Sequence, residues 1–227
     1  MTSKSRFALR ALLIGATLAL AGCSIGPSSP PAQIYVLEPP FAALSDVPMS
    51  GAQLAVAAPD LANVLDTQRI ALSRGQNMDY YADAQWTDNT ARLLQTLLVE
   101  AFEKSGKIGS VGRDSDGIHA DYILDTELRD FAAHYAGADG APTITVDIEA
   151  KLVTSDRRTV VATLDASKTA PASANSVPAV VAAFNQATGA ALEDIVGWTL
   201  RKTAAPVQQP DTGAAPAAPH HGHRRHR

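Results

Sequence analysis

Between residues 121 and 167 apolar and polar side chains alternate with a period of two. In 121–131, Tyr122, Leu124 and Leu128 take one face while Asp125, Glu127 and Arg129 take the other. In 143–153, Ile144, Val146, Ile148, Ala150 and Leu152 oppose Thr145, Asp147, Glu149 and Lys151; in 158–167, Val160, Ala162 and Leu164 repeat the arrangement. Successive side chains of a strand point to opposite faces, so each stretch predicts a half-buried strand. Gly137, Gly140, Pro142, Asp156 and Arg157 occupy the connections. Three such strands joined by turns predict an antiparallel meander with one dry and one wet face. Shorter strands are expected at 33–37, ending at Pro39-Pro40, at 53–57 and 69–74 around a turn region 59–65, and at 78–81.

Two stretches change to the helical period. Residues 88–104 set Leu93, Leu94, Leu97, Leu98, Ala101 and Phe102 on one stripe, with Thr87 or Asp88 as the expected N-cap and Gly106 as the stop. Residues 176–202 carry Pro178 in the first turn and Val180, Val181, Phe184, Leu192, Ile195, Val196 and Leu200 as apolar positions. Gly189 and Gly197 interrupt that second helix at a cost of about 1 kcal/mol each relative to Ala. The order of strands, helix, strands, helix predicts an α+β fold: a mixed, largely antiparallel sheet of about five to six strands covered by two main helices.

Composition narrows the chemistry. The 46% of hydrophobic residues includes 42 alanines among 227 residues, so the larger apolar side chains suffice for one modest core and not for several membrane spans. A net charge of −4 argues against nucleic-acid binding, which rests on neutralising phosphates with Lys and Arg. One cysteine, Cys23, excludes an intramolecular disulfide and a Cys-rich zinc site.

That cysteine closes a leader. Lys4, Arg6 and Arg10 precede an uncharged, mostly apolar run at 11–21, the basic and hydrophobic regions of a secretory signal. Eleven residues at ~1.5 Å each fall well short of a ~30 Å hydrocarbon core. The segment Leu20-Ala21-Gly22-Cys23 resembles the bacterial lipobox, which implies cleavage before Cys23 and acylation of its thiol and amine. Two or more acyl chains give stable anchoring. Ser24, where an inner-membrane retention signal would place Asp, points to the outer membrane. Without residues 1–22 the chain keeps 16 basic against 23 acidic residues, a net charge of −7, so lipid and not cationic attraction ties it to a bilayer.

The expected organisation is a leader at 1–22, a Gly/Ser/Pro linker at 23–32, one domain at 33–202, and an Ala/Pro tail at 203–227 ending in HHGHRRHR. Catalytic motifs are lacking: there is no nucleophile elbow, P-loop, H-E-x-x-H or G-x-G-x-x-G. His119 and His134 are the histidines of the domain, and an unmarked envelope hydrolase built on either is one alternative. Asp114, Asp116, His119 and Asp121 surround Gly117, but the third acidic donor and distal Glu of a calcium loop are absent, so an acidic turn is expected. The tail's four His could bind Zn²⁺, Ni²⁺ or Cu²⁺ loosely, and its cationic run could touch anionic lipid or cell-wall polymer. A solubilising role is the simpler expectation. No cofactor is expected.

Several short motifs occur in order behind the lipobox: Tyr35-Val36-Leu37-Glu38-Pro39, Leu54-Ala55-Val56 leading to Pro59, Gln68-Arg69-Ile70-Ala71, and Asp79-Tyr80-Tyr81-Ala82. Trp86 before a Leu-rich helix, Asp121-Tyr122-Ile123-Leu124 with Phe131, and a last helix with Phe184 and Trp198 complete the series. Over about 35–200 the chain resembles the ABC-type transport auxiliary lipoprotein family, including the lipoproteins of paraquat-inducible transport systems. Gln85 and Thr87-Asp88 around the tryptophan, and the His/Arg tail, depart from the family pattern.

The resemblance implies a non-enzymatic, lipid-anchored component of a machine that moves lipids or other hydrophobic molecules between membranes. It implies docking to a periplasmic substrate-binding protein with mammalian-cell-entry (MCE) domains, and indirect association with an ABC permease and ATPase. Its place would be the periplasmic face of the outer membrane, with homo-oligomerisation left open. Lipidation falls on Cys23, and Tyr35, Leu37, Pro39 and Trp86 are the expected partner-binding residues, although for Trp86 core packing stays slightly ahead of an interface role.

Overall fold

The computed structural model describes residues 31–137 and 140–204; the leader, Cys23, residues 24–30 and the segment 205–227 lie outside them. Nine strands and two helices follow in the order β1 (Gln33–Tyr35), β2 (Ser50–Val56), β3 (Asp60–Leu61), β4 (Arg69–Arg74), β5 (Asn77–Trp86), α1 (Thr90–Ser105), β6 (Ile108–Arg113), β7 (Tyr122–Tyr135), β8 (Thr143–Thr154), β9 (Val160–Pro171) and α2 (Val177–Thr203).

The meander forms as its alternation demands. β8 pairs antiparallel with β7 along nearly its whole length and with β9 on its other edge. Ile144, Val146, Ile148, Ala150 and Leu152 are all fully buried, and α2 packs on the face they present. On β7 a register shift between Leu128 and Asp130 leaves Arg129 without an opposite residue. One extra residue reverses the inward set. Tyr122, Leu124 and Leu128 are buried before it, and Phe131, Ala133 and Tyr135 after it.

The expected sheet of five to six largely antiparallel strands is corrected. Among the described residues nine strands form one mixed sheet. Five of its eight pairings are parallel and three are antiparallel; the class remains α+β. The long β7 explains this. Its free edge takes β2, β3 and β4 one after another, all parallel to it. Beyond them β6 flanks β2, while β5 and then β1 flank β4. Parallel neighbours need crossover connections, here the segment 36–49 and helix α1, and alternation within a strand carries no trace of its partner's direction.

Two strands escaped the sequence reading. In β6 the run IGSVGR has glycine at Gly109 and Gly112 and too few apolar residues to show a period; a Cβ at Gly109 would press on the Gly51 carbonyl, so the β2–β6 contact itself requires glycine. The two-residue β3 falls inside the expected turn region. The helices begin and end within two residues of expectation. Asn89, not Thr87 or Asp88, is the N-cap of α1, and Gly106 ends it at φ 61° with its N–H donating to the Glu103 carbonyl. Among the described residues no helix is long and apolar enough to cross a membrane.

Candidate docking site

The chain enters the fold at β1, a short edge strand lying parallel to the end of β5. Its register sets Tyr35 beside Trp86, Ile34 beside Gln85 and Gln33 beside Ala84. Two of the four expected partner-binding residues are thus neighbours on adjacent strands. Tyr35 is half-buried, its hydroxyl donating to Gln33 Oε1 at 2.7 Å. Trp86 is 1% exposed. Its indole stands edge-on to Phe184 of α2 at 5.3 Å and tilted against Phe131 of β7 at 6.1 Å, and those two phenyl rings lie 4.8 Å apart. Edge-to-face rings at these separations add to area burial. Trp86 is therefore a keystone joining β5, β7 and α2, out of reach of a partner in this conformation.

Leu37 is also buried, at 4% exposure. It begins a strap, residues 37–47, that runs along α2 toward its C-terminal end. The Glu38 N–H donates to Asn185 Oδ1 and the Ala42 N–H to Glu193 Oε1, both at 2.7 Å. Between these anchors a Cβ on Gly189 would collide with the Pro40 carbonyl, and beyond them one on Gly197 would make an ordinary contact with Val47. Asn185, Gly189, Glu193 and Gly197 recur every four residues, which places them on one stripe of the helix. The strap ends where Lys107 donates to the Ser45 and Val47 carbonyls at 3.1 and 2.7 Å.

Asn185, Glu193 and Lys107, which hold the strap, belong to no motif that the sequence marks for binding, whereas Leu37 and Pro39 of the strap itself are among the expected partner-binding residues. The signal is present in Gly189, whose helix-weakening cost is explained by the close approach it permits. The accessible part of the site is consequently Tyr35 and Pro39, with Ile34 at 63% and Val36 at 52% exposure beside them. A shallow hollow of about 340 Å³ lined by Pro31, Gln33, Tyr35, Asp83, Val177 and Pro178 lies at the chain's entry. Its lining holds one carboxylate, Asp83, and no Ser, Cys, His or Lys.

The remaining candidates fall elsewhere. Asp114 and Asp116 accept the backbone N–H groups of Ser115 and Arg113 within the acidic turn, and Asp121 accepts that of Gln53 in β2, so these carboxylates are engaged by backbone. Among the described residues no group of three or more His, Cys, Asp or Glu could hold a metal. His119 lines an open hollow with Asp121 and Asp156. His134 is different: Nδ1 lies 2.8 Å from Ser73 Oγ, and Nε2 lies 2.8 Å from Asp130 Oδ2 without an aligned hydrogen bond. Burial raises the Asp130 carboxyl, His134 pulls it back, and Asp147 adds to the rise.

Comparison with known proteins agrees with this architecture. The family model of the ABC-type transport auxiliary lipoprotein component matches residues 35–196, from the last residue of β1 through most of α2. A crystal structure of protein XCC0632 from Xanthomonas campestris is 34% identical, with 75% of this chain and 96% of that one covered, at a TM-score of 0.71. A crystal structure of an uncharacterized protein, 13% identical over 74% of this chain and 97% of that one, shares the fold at a TM-score of 0.58. The uncharacterized protein bll6063 of Bradyrhizobium diazoefficiens is 29% identical over 154 residues, 66% of this chain; the match spans only 40% of that curated relative's length.

Proposed function

The chain belongs to the ABC-type transport auxiliary lipoprotein family, and from that premise we propose that it is a lipid-anchored docking component of an MCE-type transporter. Acyl chains on Cys23 hold it to the periplasmic face of the outer membrane. The linker lets the domain stand off the bilayer: the twelve steps from Cys23 to Tyr35 span up to about 40 Å at ~3.3 Å per residue. The domain then presents the β1 edge and the start of the strap to the periplasmic MCE-domain protein, whose ABC permease and ATPase it meets only indirectly. It moves lipid or another hydrophobic molecule as part of that assembly, without catalysing a reaction.

The observation that carries this reading is the family match over the whole strap-bearing domain, combined with the exposed apolar pair Ile34 and Val36 at the point where the tether enters. Apolar side chains standing on a strand edge suit strand addition by a partner. Co-purification from membranes tests it. An Ile34→Asp/Val36→Asp chain should lose the MCE-domain protein while a Thr163→Asp chain keeps it; retention by both sinks the docking role. Mass spectrometry of the Cys23 peptide tests the anchor, and a free thiol there removes it.

An envelope hydrolase has one observation in its favour, the meeting of Ser73, His134 and Asp130. Ser73→Ala and His134→Ala chains that complement a deletion strain fully would dismiss it. The metal-binding tail lies outside the described residues, and a chain ending at Ala204 tests it by metal-binding calorimetry.

A further inference from the structure

We propose that the basic segment 220–227 of this chain docks on the open outer face of the β7–β8–β9 meander. This goes beyond the transport reading and does not depend on it. α2 takes the other face, and the contacts of β8 and β9 are chiefly with each other, β7 and α2.

The outer face carries an unusual arrangement of charge. The register sets Glu127 directly opposite Glu149, Glu149 opposite Asp165, and Asp130 opposite Asp147. Like charges facing each other across strands are destabilising, and here they form one row of three and one row of two. The balancing cations are few. Arg129, the unpaired residue of the β7 bulge, reaches Glu149 at 2.7 Å, Asp165 at 3.0 Å and Glu127 at 3.9 Å. Lys151 joins Glu149 at 2.9 Å. Glu127 and Asp165 nonetheless keep side-chain exposures of 49% and 67%. A sheet face with this surplus fits a partner that is cationic and rich in guanidinium, whose planar fork matches carboxylates.

The chain supplies such a segment. Residues 220–227 read HHGHRRHR, with three arginines and no acid. Fifteen residues lie between Ala204, the last described position, and His220, sixteen steps with a reach of up to ~50 Å. A domain of this size has a radius of gyration of about 16 Å, so a path around its edge from the end of α2 lies within that reach. Tethering makes the encounter intramolecular, at an effective concentration near the millimolar range, so individually weak contacts suffice.

Carboxylate footprinting of the purified full chain with a carbodiimide and glycine ethyl ester, read by mass spectrometry, tests the proposal. At low salt Glu127 and Asp165 should label at least threefold more slowly than in an Arg224→Ser/Arg225→Ser/Arg227→Ser chain, while Asp79 and Glu100 label equally in both. In 0.5 M NaCl, where the Debye length falls to about 4 Å, the two chains should become indistinguishable. The substitutions lie outside the described domain, and unchanged circular dichroism verifies its fold. Equal labelling of Glu127 and Asp165 at low salt overturns the proposal. A segment that binds phosphatidylglycerol vesicles while the sheet labels equally in both chains assigns it to the membrane and overturns the proposal as well.

Discussion

The carbonyl of Pro40 occupies the space that a side chain at Gly189 would fill, 149 positions further along the chain. The contact lies midway between the Glu38–Asn185 and Ala42–Glu193 hydrogen bonds. It fixes the depth at which the strap lies on α2, and through Leu37 and Val47 it closes one side of the core.

Gly189→Ala should therefore destabilise the domain although alanine is the better helix former. Overpacking against backbone costs about 1–3 kcal/mol, against a propensity gain of about 1 kcal/mol. Gly197→Ala should be neutral or stabilising by up to about 1 kcal/mol, because its new Cβ would meet Arg201 Nη1 at 3.4 Å and Val47 at 3.6 Å, ordinary contacts. Urea unfolding of the pair decides it: equal shifts in both variants would remove the strap's claim on Gly189.

Trp86→Ala should lose about 3–5 kcal/mol, the range for a buried aromatic truncated to alanine, and with it much of a typical domain's stability. Tyr35→Ala, on a half-buried edge residue, should keep the domain folded with a far smaller shift in urea midpoint. The contrast separates the core residue from the surface one although they sit side by side in register.

Lys107→Met removes the ammonium that holds the Ser45 and Val47 carbonyls. Hydrogen bonds to a charged group contribute about 1.5–3 kcal/mol each, less where solvent competes. Local opening should follow, seen as faster amide exchange of Ser50, whose N–H donates to the Lys107 carbonyl, with the meander's amides unchanged. Uniform acceleration across the domain would contradict a local clamp.

Two carboxylates on the outer face should respond oppositely to acid. Burial raises Asp130 above its ordinary 3.8 despite His134. The folded state thus binds its proton more tightly than the unfolded state does, and Asp130 costs stability at neutral pH that is recovered as pH falls through its folded pKa. Asp130→Asn should stabilise at pH 7 and lose that advantage below about pH 4. The Lys151 ammonium, with Arg129 beside it, holds Glu149 below its ordinary 4.5 against desolvation. Its contribution is complete above the unfolded pKa and is lost as pH falls through the lower, folded one. Glu149→Gln should be destabilising at pH 7 and converge with the parent chain in acid. Parallel pH profiles for the two variants would contradict both assignments.

What the chain's own order of residues determined was local. The alternation of 122–154, the leucine stripe of α1, the proline at the start of α2 and the glycine at 106 all act between residues a few positions apart, where pleat and helical turn translate directly into spacing. The meander and both helices follow from them, and so does Trp86 as a residue of note ahead of a helix. The tertiary structure alone decided the rest. That β7 takes β2, β3 and β4 in parallel, that Tyr35 lies beside Trp86, and that residues 37–47 bind α2 depends on contacts such as Glu38–Asn185 and Ala42–Glu193, 147 and 151 residues apart. Such contacts leave no period in the sequence; they are selected by which surfaces remain unburied once the local elements exist. Leu37 and Trp86 are core and Tyr35 and Pro39 surface for that reason, since burial is a property of the assembled layers and not of the motif that names a residue.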